Sequence, residues 1–482
     1  MKNFISLLIM TVFVISFGHA QEEVVSFKIE ESVYLIKHKE SYSFSNTING
    51  DLAIVLIEKK KVYAKLFDKD FQNISSFDTD ALKSKYSNVL GYKIIDNKYY
   101  LVASNRSLQK FALLLLDFDK KKGEAQEIEI DFGKEEFLET VQYKNQLYII
   151  SANKDNEFVL RILNDKMEAE IINTIEIGDG KTEKNQRLLK RDVFMFMAPL
   201  KSNITKIDNR VPTSIEQAAN QTKLYQQNNK LYLTFDDDDE TATKLYIIDL
   251  ETLELTSSEY NYPKGKLEEF NRYNSFILDD HIIQLGSSNL EMQIEVKNFD
   301  GGIIKEHYLE KETPIDIKNS PIIQEGTTAI PFVNRREMEE TSKFLRKVSG
   351  GKIGITAYKD DMGYNATIGG YKEVATGGGG MMMMGGGGAS FGVGGAVTVM
   401  IYNPTFYSYS LYTSTKSTFF NTHFDQDFNY VKKDVETDVF DRIQEYKKNI
   451  ERITAEDVFF HNDSLYFGFF DMRDKYYRII KM

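Results

Sequence analysis

NQLYIISA, residues 145–152, opens on Asn and a polar residue and then runs almost wholly apolar. It does not alternate apolar with polar positions, and neither does ALLLLDF at 112–118. A strand wetted on one side alternates, whereas a strand that is apolar at successive positions is covered on both faces. The same signature recurs along the chain: Asn, Asp or Gly, one polar residue, then an apolar run. It reads GDLAIVLI from Gly50, NKYYLVAS from Asn97, NKLYLTFD from Asn229 and DSLYFGFF from Asp463, and more weakly DHIIQLGS from Asp280 and GKIGITAY from Gly351. The seven starts lie 47, 48, 84, 51, 71 and 112 residues apart, so three gaps hold close to one period and the longer gaps hold extra sequence. Asn, Asp and Gly at the start suit a tight turn with positive φ.

A second punctuation follows several of these runs: strand, polar turn, strand. Examples are YAKLFDKDFQNISSF, KLYIIDLETLELTSS and IEVKNFDGGIIKEHYL, and Phe67-Asp68-Lys69-Asp70-Phe71 is echoed by Phe424-Asp425-Gln426-Asp427-Phe428. Four short strands per unit, on a period near about 45 residues, mark a radial repeat. In this the mature chain resembles the β-propeller superfamily as an architecture. The chain has no Trp, so the WD dipeptide and the Trp-bearing Asp-box that identify particular propeller families are missing. The resemblance implies an all-β fold of seven four-stranded blades, with six or eight also compatible with the spacing. The first mature stretch, EEVVSFKIEESVYLI, and the last, YYRIIKM, both read as strand. They are predicted to meet in one blade and close the ring, removing two open edges.

Helices are few. REMEETSKFLRKVSGG places Met338, Leu345 and Val348 on one face, and DVFDRIQEYKKNI places Val439, Ile443, Tyr446 and Ile450 likewise, with Asp438 as its cap. TSIEQAANQTKLY begins with cap-like residues. All three are expected to cover blades.

The N-terminus, MKNFISLLIMTVFVISFGHAQ, has Lys2, an apolar run from Phe4 to Phe17, and small residues at Gly18 and Ala20. That is the pattern of a secretory signal peptide over residues 1–20 cleaved near Ala20, and it predicts an extracytoplasmic mature chain: periplasmic, cell-surface or secreted. No Cys is present, so neither disulfides nor a lipid-bearing Cys is available. The net charge of −12, −13 without Lys2, is repelled by nucleic acid and by anionic lipid. Aromatics reach 13%, all Tyr and Phe, as in a well-packed strand-rich chain.

Local chemistry is sparse. Residues 376–396 read TGGGGMMMMGGGGASFGVGGA. Gly388 to Gly392 fit G-x-S-x-G around Ser390, but glycines precede that Ser and a strand-like run follows it, whereas a nucleophile elbow needs a strand before and a helix after. No helix N-terminus follows to hold a phosphate. Met381, Met382, Met383 and Met384 offer thioethers, with no His or Cys beside them to complete a copper site. The tract at about 375–396 is read as a flexible insertion whose apolar tip is a candidate contact for a partner or, weakly, for a membrane or cell surface. Asp236, Asp237, Asp238, Asp239 and Glu240 form an acidic hairpin turn and a weak Ca²⁺ candidate without Ca²⁺-loop spacing. No two of His38, His281, His307, His423 and His461 lie within four residues of each other, so no local zinc motif exists. No cofactor is expected and no catalytic residue can be named. The reading favoured is a binding or scaffold propeller for an unknown protein or glycan. The alternative is a propeller enzyme acting on glycans through carboxylates gathered at the channel mouth.

Overall fold

The computed structural model describes residues 21–29, 39–58, 60–153, 157–176, 204–325, 336–372, 402–412 and 417–482. The signal-peptide segment and the Gly/Met tract, with Met381 to Met384 and Ser390, lie outside the described residues.

The strands form seven sheets, five of four strands and two of five. They succeed one another along the chain as blade 1 (39–80), blade 2 (88–128), blade 3 (136–176), blade 4 (205–261), blade 5 (272–310), blade 6 (322–424) and blade 7 (453–481). The fourth strand of blade 7 comes from the other end of the chain: Glu22–Lys28 pairs antiparallel with Tyr476–Lys481, Phe27 opposite Tyr477 and Ser26 opposite Arg478. The predicted ring closure is present.

Apolar clusters sit between neighbouring blades. One joins Tyr42, Val55 and Ala64 of blade 1 to Tyr99, Leu101 and Leu114 of blade 2. Others join blades 2 and 3, blades 3 and 4, blades 4 to 6, and blades 7 and 1. The middle strands are therefore covered on both faces, as in Phe111–Asp117, whose seven residues are all buried or half-buried. The outermost strands, such as Lys122–Ile128, face solvent and are rich in charge. The chain is thus an all-β propeller of seven blades.

The repeat signature marks the turn into the second strand. In blades 2, 3, 4, 5 and 7 two residues separate the first strand from the second. The first of those two has positive φ at Asp96, Lys144, Asn228, Asp279 and Asn462, and the second does as well at Asn145 and Asp463. Positive φ at both positions is the type I′ geometry that matches strand twist. The FDKDF echo is one turn used twice. Phe71 and Phe428 both have φ of 59°, and their backbone N–H groups donate to Asp68 O and Asp425 O at 3.0 Å. Each Asp Oδ1 accepts two further backbone N–H groups, at 2.8 and 2.9 Å.

Blade 6 departs from the pattern. Gly351, read as a repeat start, precedes the blade's first strand, Lys352–Lys359, and the second strand is Tyr364–Tyr371. Its turn, Asp360–Gly363, is held by Asp360 Oδ1 accepting from the N–H groups of Met362 and Gly363. The blade's outer edge is supplied from upstream: Ile322–Gln324 pairs with the third strand, Ser417–Phe424, and with Arg336–Met338. Met338 therefore lies in a strand, and helix α2, Thr341–Val348, buries Phe344, Leu345 and Val348.

Helix α1, Ile215–Ala218, is capped by Ser214, whose hydroxyl accepts from Gln217 N. Helix α4, Val439–Lys447, is capped by Asp438 as predicted. Helix α3, Pro404–Tyr412, had no sequence expectation. Blades 6 and 7 meet through helices: α1 packs on blade 6, while Tyr409 of α3 packs on both Phe440 of α4 and Phe467 of blade 7.

Candidate functional site

Two insertions meet where the channel opens on the side of the first hairpin turns. The first enters blade 4. Thr205–Ile207 runs parallel to Thr222–Gln227, and Lys206 Nζ lies 3.1 Å from Glu139 Oε1 of blade 3, both side chains at most one-tenth exposed. The segment then reaches blade 6, where α1 lies against Gly354. A Cβ there would come within 2.9 Å of Ala219 N, so only Gly permits this approach. The second insertion is α3. Asn403 caps it, Oδ1 accepting from Phe406 N at 3.1 Å, and its Nδ2 donates to Val458 O at 3.1 Å. Thr405 Oγ1 donates to Asp208 Oδ2 at 2.6 Å, tying the two insertions together.

These segments floor a funnel of about 630 Å³. Blades 1, 2, 3, 4, 5 and 7 contribute to its wall, through residues such as Ser45, Tyr92, Gln142, Gln226, Asp279 and His461. Tyr402 lies at the floor among Tyr42, Phe44 and Tyr92, each ring centroid 6.2 Å from its own.

Two of the funnel's carboxylates are engaged. Asp208 receives Arg210 Nε at 2.8 Å and Nη2 at 3.0 Å. Asp279 receives Tyr364 Oη at 3.0 Å and Lys359 Nζ at 3.3 Å. Arg210 remains 56% exposed while its guanidinium stacks 3.8 Å over the Phe460 ring, a planar cation presented to the opening. His461 accepts from Asn462 Nδ2 through Nε2 at 3.1 Å, which leaves Nδ1 to donate to Ser45 Oγ at 2.8 Å. Burial pulls its imidazole down to about 4, so it is neutral at neutral pH.

Beneath the floor Asp457 is fully buried, with Oδ1 3.2 Å from Asn403 Nδ2. Burial raises its carboxyl to about 7. The folded chain then holds a proton that an ordinary aspartate, near about 3.9, releases on unfolding. This contribution favours folding most below about pH 4 and is lost as pH rises to about 7. Asp457→Asn should remove that slope and raise stability at about pH 8 by roughly 2–4 kcal/mol, checked by urea melts across pH. His461 has the opposite sign, its depressed imidazole weakening the fold as pH falls from about 6.5 towards about 4, and that slope should persist in the variant.

The acidic run does form the hairpin loop between Lys230–Phe235 and Ala242–Asp249, but its carboxylates do not converge. Asp236 points inward: Oδ2 accepts from Lys223 Nζ at 3.1 Å and Ser275 Oγ at 2.8 Å, and Oδ1 from Thr243 Oγ1 at 2.7 Å. Asp237 Oδ1 accepts from Asp239 N, and Asp238 Oδ1 from Tyr273 N. Among the described residues no group of three His, Cys, Asp or Glu side chains could hold a metal ion.

Sequence reasoning passed over Arg210 and α3. The signals for both were present: Asp208-Asn209-Arg210 is a side-chain-capped turn, Arg210 N donating to Asp208 Oδ1, and Asn403-Pro404 is a cap followed by the proline favoured at a first helical position.

No family model matches the chain, and no curated protein does. Among solved structures, the Dos1 propeller matches with 9% identity and a TM-score of 0.32, over 96% of this chain and 95% of that one. An apocarotenoid oxygenase of Synechocystis matches with 8% identity and a TM-score of 0.28, over 56% of this chain. That match covers 61% of the oxygenase, so the chain spans less than two thirds of its length. The fold is defined by the seven sheets themselves, and at these scores neither likeness bears on function.

Proposed function

We propose that the chain is an extracytoplasmic binding module that takes a polar group of a partner protein or glycan into the channel-mouth funnel. The observation that carries this reading is the floored funnel itself: a polar concavity lined by six blades, with Arg210 held on Phe460 at its rim. Arg over an aromatic ring is a preorganised contact for recognition. A glycan-cleaving reading needs two carboxyl groups free to act on one bond. The engagement of Asp208 with Arg210 and of Asp279 with Lys359 and Tyr364 favours binding over that chemistry.

The N-terminal pattern ending near Ala20 motivates the location, and fractionation of the full-length chain tests it. For the funnel, the mature chain serves as bait for the surface fraction beside Arg210→Ala and Phe460→Ala. Loss of recovery of the same partner in both variants, with melting temperatures kept close to wild type, is the expected result. Undiminished recovery in both would remove the funnel from the interaction.

A further inference from the structure

A second cavity, of about 320 Å³, lies in the wedge between blades 6 and 7 and shares no lining residue with the funnel. Its wall comes from the inner three strands of blade 6, the entry to α1, the end of α3 and the approach to α4. Four side-chain atoms of its lining have no hydrogen-bond partner: Thr213 Oγ1, Thr356 Oγ1, Ser417 Oγ and His423 Nε2. Each of these residues is 6% exposed or less. Buried polar groups are nearly always paired, and an unpaired one costs free energy, so four lining one cavity call for an occupant.

Several charged groups at the cavity are engaged. Lys433 Nζ lies 3.2 Å from both Asp360 Oδ2 and Glu436 Oε1. Asp438 spends one oxygen on the backbone of α4 and the other on Tyr412 Oη at 2.6 Å. The unpaired groups are three hydroxyls, which donate or accept, and one imidazole nitrogen. Asn365 turns its amide oxygen to His423 Nδ1 at 3.1 Å, while its Nδ2 donates to Asp360 Oδ2. Nδ1 is therefore the protonated nitrogen and Nε2 an acceptor that needs a donor from the occupant. Burial holds the ring neutral. A bare inorganic anion has no proton to give, and a metal ion would find no cluster of carboxylates among the described residues. A molecule carrying several hydroxyls meets the whole set.

We infer that the wedge between blades 6 and 7 is a binding site for a small neutral polyhydroxylated ligand of the monosaccharide class, held by Thr213, Thr356, Ser417 and His423. The cavity lies at the lower end of the volumes that small-molecule sites occupy.

The test is calorimetry and thermal melting of the mature chain with a panel of neutral hexoses and inositol, beside inorganic phosphate, Ca²⁺ and ethanolamine. High sugar concentrations stabilise proteins without binding, so the variants decide. Thr213→Val with Thr356→Val removes two unpaired hydroxyls at nearly constant shape. The double variant is expected to melt no lower than wild type without ligand and to bind the polyol about tenfold or more weakly. Arg210→Ala, outside this wall, should bind it as wild type does. Ser417→Ala provides a second variant with the same expectation should the double variant fold poorly. Heat of binding for no neutral polyol, for ethanolamine or an ion alone, or equally in wild type and both wall variants would overturn the assignment.

Discussion

A chain lacking residues 21–29 should melt far below one that keeps them, and should aggregate. The segment supplies the fourth strand of blade 7 in a register that runs from Glu22 opposite Lys481 to Lys28 opposite Tyr476. It buries Val25 and Ile29, and Phe27 lies 5.9 Å from Phe67 and 5.5 Å from Tyr477. Full burial of one such aliphatic side chain stabilises by roughly 1.5–3 kcal/mol, so the strand's apolar contacts alone are worth on the order of 5 kcal/mol. Its loss also bares the edge of Tyr476–Lys481, a row of unpaired backbone groups on an apolar strand. Thermal melting with light scattering reads both effects. An unchanged melting temperature would mean that the strand adds nothing to the ring.

The second large effect is expected at Asp236. This carboxylate and the Lys223 ammonium are both fully buried, 3.1 Å apart. Asn220 O, at 2.6 Å, and Asn274 Oδ1, at 3.4 Å, are the uncharged acceptors for the ammonium. Asp236→Ala removes the only nearby negative group among its bonded partners and leaves a buried cation, which typically costs about 3–5 kcal/mol. It also strips Ser275 and Thr243 of their acceptor. Lys223→Met in the same chain should recover much of the loss, since replacing both members by apolar groups avoids the stranded charge. Denaturant melts of the two single variants and the double variant measure this directly, and additive losses would show that the two side chains are not coupled. Because Asp236 is committed to this pair, added Ca²⁺ is expected to leave the melting temperature of the wild type unchanged.

The architecture was legible because each repeat carries its own turn chemistry. Asn145 and Asp463 sit where φ must be positive, and the apolar run after each is a strand packed on both faces, a local pattern that records a tertiary fact. Blade 6 was misread because its outer edge comes from Ile322–Gln324, far upstream of its partner Ser417–Phe424, and long-range pairing leaves no local trace. The candidate sites were harder still. The funnel gathers Ser45, Gln142, Arg210 and His461 from four blades, and the wedge gathers Thr213, Thr356 and His423 across a span of more than a hundred residues. The Asp run, read as a weak cation candidate, spends its first carboxylate on a buried lysine. Short polar residues such as Thr356 carry no spacing signal, and only their burial without partners makes them notable.

The ring closure can be tested with a single cross-link. Ser26 and Arg478 face each other across the pairing of the N-terminal and C-terminal strands, and the protein has no cysteine of its own. Directly paired strand residues lie within the Cα separation that a disulfide spans. Ser26→Cys with Arg478→Cys should form an intramolecular disulfide under mild oxidation, seen as a faster band on a non-reducing gel that reverts with reductant. Free thiols in a folded chain, or a bond formed only between molecules, would contradict a seven-bladed ring closed by its own N-terminal strand.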